Sequence, residues 1–524
     1  MSAAVLMIQG TASSVGKSVI AAGLCRVLRR RGARVAPFKA QNMSLNAAVT
    51  ADGGEIARST AVQAAAAGVE PTVDMNPILL KPEAEMRSQV IVRGRVWGRR
   101  WAGDYFRQRL ELWPFVVESL ERLRAAYDVV VAEGAGSPVE LNLRAGDLVN
   151  MAVARHAEAP VILVGDIDRG GVFAQLIGTL DLLEPDERRL VKGTIVNRFR
   201  GDPGLFVDGV RILEERTGRP VFGVVPWVPD LGLAEEDGAT LDLGAPVRPW
   251  DAETVRIAVL RLPRIANFDD FGPLERTPGI ALAYVDRPEA LAGADLIVLP
   301  GSKSTVDDLE FLRQRGLADA VVAARRSGTP LVGVCGGLQM LGRAIHDPEG
   351  VESDRPTVPG LGLLPHETLF APGKRTARVR ARVEATHGPL AGARGCEVDG
   401  YEIHAGRSYE RTGERASRRT GDGAGRSVPP AGAPLRVVAR GGAPADEPDG
   451  ALSPDGLVFG TYLHGLFENE PVRRALVDWL RARRGMRPPA LASAVDPYER
   501  WADVLEASLS VTRLLERCGL GRWA

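Results

Sequence analysis

Thr329-Pro330-Leu331-Val332-Gly333-Val334-Cys335-Gly336-Gly337-Leu338-Gln339-Met340-Leu341-Gly342 sets one thiol at a sharp turn. Leu331 to Val334 is a short apolar run after a proline, and Leu338 to Ile345 has helical spacing, so Cys335 falls at a strand-to-helix corner. Gly333, Gly336 and Gly337 reproduce the small-residue spacing of a nucleophile elbow, with Cys where the hydrolase motif has Ser. Glycines on both sides let the backbone take a strained turn and let a carbonyl approach, and the helix N-terminus behind the sulfur favours a thiolate.

Around that corner lie 524 residues, too many for one core, and the length suggests about three domains or two large ones. Hydrophobic residues at 45% and charged residues at 25% are those of a globular protein. Lys+Arg and Asp+Glu both number 66, so no global charge points to nucleic acid or an anionic membrane. Cys25, Cys335, Cys396 and Cys518 show no paired spacing, which argues against a disulfide framework or zinc site and for a reducing compartment. Met1 to Gln9 is apolar without a basic leader, and no run reaches membrane-spanning length, so the chain reads as cytoplasmic. Only six of the 66 basic residues are Lys, and Lys17, Lys39 and Lys81 cluster near the N-terminus.

There, the apolar strand Val5 to Ile8 leads into Gly10-Thr11-Ala12-Ser13-Ser14-Val15-Gly16-Lys17-Ser18 and then the helical pattern Val19 to Leu28. Such a loop cradles phosphate with backbone N–H groups, with Lys17 reaching the terminal phosphates and Ser18 the magnesium. Five residues rather than four separate Gly10 from Gly16, a variant that looks like the loop of dethiobiotin synthetase. The strand Tyr127 to Ala132 ends in Glu133-Gly134-Ala135-Gly136, which places an acid where it can hold magnesium. Further apolar strands end in Asp166-Ile167-Asp168 and in Asn197, a candidate for reading the adenine edge or capping a strand. Their succession predicts a doubly wound parallel sheet that binds ligands along its carboxyl edge. Phe38 to Asn46 is a polar loop rich in amides, and Val92 to Trp101 is a basic hairpin, either solvated or meeting a substrate with several carboxylates.

Leu231 to Asp251 reads as a linker, and Val255 to Leu260 opens a second α/β series. Gly301, after the strand Asp295 to Leu299, could turn a backbone N–H toward the carbonyl that Cys335 attacks, with Gly336 as the second donor. The thiol needs a base, and His464 projects from the end of the strand Gly456 to Leu463, with His404 as its rival. Arg411 to Ser453 reads as a flexible insertion, and Pro497 to Leu520 as an amphipathic helical tail.

These motifs together resemble the cobyric acid synthase family, glutamine-dependent ligases of cobalamin biosynthesis. The resemblance rests on Gly10 to Ser18, Phe38 to Asn46, Glu133 to Gly136, Gly165 to Gly171, the Cys335 elbow, Tyr401 to Gly406 and Thr461 to Phe467. It implies an ATP domain over 1–230, a linker over 231–254, a class I glutamine amidotransferase-like domain over 255–485 with an insertion over 411–453, and a tail over 486–524. The implied reaction is ATP- and glutamine-dependent amidation of the b, d, e and g carboxylates of adenosylcobyrinic acid a,c-diamide, with Mg2+ as cofactor. Cys335 and His464 would be catalytic, and Thr11, Gly16, Lys17, Ser18 and Asn197 would hold nucleotide. Magnesium would fall to Ser18, Asp52 and Glu133, and substrate to Lys39, Gln41, Asn42, Asp166 and Asp168. Most class I amidotransferases carry a Glu two residues after the His; here Leu466 stands there, which leaves the orienting partner of His464 open between Glu468 and a backbone carbonyl. The sibling amidase that makes the a,c-diamide has its halves in the same order, and the Lys39 to Asn46 loop separates the two. A phosphate-loop ATPase with a non-catalytic C-terminal module, and a glutaminase serving another acid, are the readings of other classes.

Overall fold

The computed structural model describes residues 2–84, 86–229, 231–233, 254–410, 432–487 and 496–524. The chain divides into two compact units, one of Met1–Ser44, Gly54–Asp237 and Ser493–Ala524, the other of Leu45–Gly53 and Gly238–Ala492. Both units are α/β.

The first unit is built on six parallel strands in the order Val221–Pro226, Val191–Phe199, Val161–Asp166, Ala4–Gly10, Val129–Glu133 and Val35–Phe38. Runs such as Val129 to Val131 and Val161 to Val164 are wholly buried, as strands covered on both faces must be. The central strand Ala4–Gly10 delivers the glycine loop, and the helix Lys17–Arg30 follows it. A smaller sheet joins Gln41–Met43, Ile78–Ala84, Arg87–Val92 and Arg95–Trp101. Part of the polar loop after Phe38 is therefore strand, paired in parallel with Ile78 to Leu80.

The second unit has its own sheet, ordered Ile280–Val285, Val255–Leu260, Leu296–Leu299, Leu331–Val334, Val458–Thr461 and Ala451–Leu452, parallel except for the last pair. An antiparallel layer is organised on the long hairpin His366–Val383 and Glu397–Glu410.

The boundaries differ from the sequence expectation in three places. The C-terminal tail belongs to the first unit: the helix Pro497–Ser508 packs its Trp501, Ala502 and Leu505 into the core around Lys17–Arg30. Residues 45–53, expected in the ATP half, belong to the second unit, where Ala47–Val49 is buried and Arg378 Nε donates to the Val49 carbonyl at 2.9 Å. The expected insertion over 411–453 is structured from Leu435, since Leu435–Arg440 and Ala443–Asp449 extend the antiparallel layer. Its composition masks a period-two pattern that buries Leu435 and Val437. Residues 411–431, and 234–253 of the expected linker, lie outside the described residues. Among the described residues no helix is long and apolar enough to cross a membrane.

Candidate active sites

In the second unit Cys335 stands between the strand Leu331–Val334 and the helix Gly336–Leu341 with φ 51° and ψ −107°. That conformation is sterically expensive for a residue with a Cβ and is the mark of an elbow that exposes a nucleophile. The turn is held by its surroundings: the Cys335 N–H donates to Thr461 O at 2.8 Å. A Cβ on Gly337 would come within 1.9 Å of Leu299 O, so helix and strand approach this closely only because Gly337 has no side chain.

The imidazole that this sulfur influences is that of His464, while the Cys335 thiol itself donates to Ile403 O at 3.6 Å. His464 follows the strand Val458–Thr461 and is clamped by backbone bonds in both directions with Tyr401, whose ring stacks on it at 5.2 Å. Its Nδ1 meets Asp270 Oδ2 at 2.7 Å, and Asp270 Oδ1 accepts the Gly465 N–H at 2.8 Å. Burial works against the imidazolium, but the Asp270 carboxylate and the Cys335 sulfur outweigh it and hold the His464 pKa up at about 10. His404 is different: Nδ1–H donates to Gly406 O at 2.7 Å, the ring stacks on Tyr462, and burial pushes its pKa down to about 3. It is a neutral imidazole beside the site. A Cβ on Gly301 would lie 3.2 Å from His464 Cε1, and one on Gly336 would lie 2.9 Å from Ser302 N, so both expected oxyanion glycines border the Cys335–His464 pair.

Asp270 is the residue that sequence reasoning missed. The orienting group is neither Glu468 nor a carbonyl but a side chain 194 positions upstream. Its segment is fixed by a reciprocal amide pair, in which Asn267 Oδ1 accepts the Ala47 N–H at 2.9 Å and Asn46 Oδ1 accepts the Phe268 N–H at 3.2 Å. The signal available in sequence was the unusual Asn-Phe-Asp-Asp-Phe run from 267 to 271, two acids among aromatic residues after an apolar strand.

In the first unit, Glu133 is buried at the carboxyl end of its strand and gathers three donors. Ser18 Oγ donates to Oε1 at 2.8 Å, Lys39 Nζ meets the same oxygen at 2.9 Å, and Gln63 Nε2 donates to Oε2 at 2.6 Å. Lys17 Nζ folds back onto Ala12 O at 2.8 Å and Gly136 O at 3.0 Å, and Gly16 takes φ 95°. Thr11 Oγ1 donates to Gln175 Oε1. Asn197 is buried, and its amide donates to Val15 O at 2.9 Å; its visible work is to brace the loop, where the sequence had offered adenine recognition.

Other expected residues are already committed. Asp52 is exposed, takes the Thr50 hydroxyl, and lies in the segment grouped with the second unit. Asp166 pairs with Arg198 at 3.1 Å and Asp168 with Arg200. Gln41 accepts the Tyr105 hydroxyl, and Asn42 donates to Ser59 Oγ at 3.1 Å. Among the described residues no group of three His, Cys, Asp or Glu could hold a metal by itself.

The donor set nevertheless suits a magnesium nucleotide. Glu133 and Ser18 offer adjacent oxygens, the Lys39 ammonium stands where a cation is wanted, and Lys17 occupies loop carbonyls from which it can extend to phosphate.

A thiol elbow with an imidazole, and a glycine loop above a parallel sheet, define a glutamine amidotransferase joined to a P-loop nucleotide-binding domain. Family models agree: residues 6–241 match the CobQ/CobB/MinD/ParA nucleotide binding domain and residues 256–472 the CobB/CobQ-like glutamine amidotransferase domain. The chain is 54% identical over 514 residues to the cobyric acid synthase of Chloroflexus aggregans, covering 98% of each chain. It is 50% identical to that of Sorangium cellulosum, covering all of both chains, and 47% identical to that of Moorella thermoacetica, covering 99% of this chain and 98% of the relative. The chain belongs to the cobyric acid synthase family, ATP-dependent glutamine amidotransferase ligases of cobalamin biosynthesis.

Proposed function

We propose that this chain amidates the b, d, e and g carboxylates of adenosylcobyrinic acid a,c-diamide, drawing each nitrogen from L-glutamine. The observation that carries the glutaminase half is the buried Cys335–His464–Asp270 series. Cys335 attacks the glutamine amide carbon while the backbone N–H groups of Gly301 and Gly336 receive the developing oxyanion. His464, protonated in its resting pair with Cys335, gives its proton to the departing ammonia; a thioester remains, which water hydrolyses to glutamate. Asp270 is a positioning residue: it fixes the ring so that Nε2 faces the sulfur and stabilises the imidazolium.

In the other half the loop from Thr11 to Ser18 and Lys17 would hold the triphosphate, with Mg2+ on Ser18 and Glu133. ATP supplies the phosphoryl group that turns a carboxylate oxygen into a leaving group, and Mg2+ neutralises phosphate charge. Lys39, which pairs with Glu133, would meet the carboxylate being activated. The test is mass spectrometry of the a,c-diamide after incubation with ATP, Mg2+ and glutamine. Four successive exchanges of hydroxyl for amide are expected, and an unaltered diamide would refute the reading.

A further inference from the structure

One stretch departs from the neutral balance of the chain. Residues 86–110 contain seven arginines, no lysine and one acid, Asp104, in a chain of net charge zero; Arg87 and Arg99 meet Glu83, Arg93 meets Glu118 and Arg107 meets Asp104. The same 25 residues hold Trp97, Trp101, Tyr105 and Phe106. They form the hairpin Arg87–Val92 and Arg95–Trp101 and the short helix Ala102–Gln108.

Much of this apolar surface is left in the open. Trp101 is 57% exposed, Val96 49%, Phe106 47%, and Met86, whose carbonyl accepts the Ala102 N–H beside Trp101, 63%. The Arg100 guanidinium lies 4.5 Å over the Trp97 ring and that of Arg109 4.6 Å over Phe106. Arg95, Arg100 and Arg109 meet no carboxylate among the described residues. Exposed aromatic side chains set beside three arginines that meet no carboxylate mark a binding surface, and the sign of the charge calls for an anionic partner with flat apolar faces.

We propose that this hairpin is the docking face for the corrinoid, with Trp97 and Trp101 against the macrocycle and Arg95 and Arg100 on its peripheral carboxylates. The proposal rests on the corrinoid reading above and gives that substrate a place. The strand Gln41–Met43, which follows Lys39, is the far edge of the four-stranded sheet whose other edge is Arg95–Trp101. Lys39 pairs with Glu133, and Gln41 accepts the hydroxyl of Tyr105 from the helix that follows the hairpin, so this segment touches both places. The chemistry favours this kind of surface. One activating site has to receive four different edges of the same disk, so a fixed clamp on one carboxylate would exclude the other three. Aromatic stacking with flexible arginine heads holds the disk in each orientation. A second copy of the chain would bring the same positive face against itself, which like-charge repulsion opposes.

The test is equilibrium binding of adenosylcobyrinic acid a,c-diamide to the full chain without ATP or glutamine, followed by the visible absorbance of the corrin. Arg95→Glu/Arg100→Glu and Trp97→Ala/Trp101→Ala are each expected to raise Kd by at least about tenfold, and Arg95→Lys/Arg100→Lys to raise it less. Circular dichroism and Tm check that each variant is folded. Variants that bind as the wild type does would overturn the docking face while leaving the substrate reading intact. A wild-type chain that ignores the diamide but takes up a single-stranded oligonucleotide through these arginines would overturn both.

Discussion

At the scale of single residues, the glutaminase half turns on how His464 is held. Its folded pKa, about 10, stands above the ordinary 6.5 because Asp270 and Cys335 favour the charged ring over burial. A raised histidine pKa stabilises the fold fully below the unfolded value near 6.5, and that contribution fades as pH climbs through about 10. Asp270→Asn removes the charge and keeps the shape. Imidazole NMR titration should then show the His464 pKa falling, and the stability gap from wild type should be widest below pH 6.5 and narrow toward pH 10. Glutaminase kcat should drop by roughly 10²- to 10⁴-fold with KM for glutamine little changed. An unchanged titration would dispose of the positioning role. Gly337→Ala tests the elbow from the other side: its methyl meets Leu299 O, and overpacking there should cost about 3 kcal/mol, read as a lower Tm.

Among elements, the C-terminal helix is the one whose place matters most. Pro497–Ser508 lies along Lys17–Arg30, Trp501 Nε1 donates to Val19 O at 2.6 Å, and Leu505 fills the space left by Gly23. Arg30 meets Glu499, Asp503 and Glu506, but partners as exposed as Asp503, at 69%, add little. The apolar contact dominates. Trp501→Ala should therefore cost about 3 to 5 kcal/mol, and ATP should protect the variant less against melting, because the Val19 carbonyl lies in the first turn of the phosphate-loop helix. A variant with wild-type Tm and ATP protection would show that the helix only rests on the unit. The hairpin Leu435–Arg440 and Ala443–Asp449 makes a related point: a Gly- and Pro-rich flank concealed two regular strands.

For the whole molecule, the expectation is that two chemistries can be removed one at a time. Cys335→Ala should abolish glutamine-supported amidation, by roughly 10⁴-fold or more, and leave synthesis from free ammonia. Lys17→Ala should lose synthesis with either nitrogen source, and steady-state assays with glutamine and with ammonium salt decide both. A folded Cys335→Ala chain inactive with ammonia as well would count against separate sites. Sequence alone fixed the two-part α/β plan, the thiol corner and the phosphate loop, because each of these turns demands glycines and a reactive residue at close spacing and so leaves a local signature. Tertiary structure alone decided that Asp270 serves His464, that Gln63 and Lys39 converge on Glu133, that residues 45–53 belong with the second unit and that the C-terminal helix belongs with the first. These are contacts between residues far apart in the chain. Burial and hydrogen bonding select them only once the strands are packed, and no periodicity or spacing in the sequence encodes which distant partner will arrive.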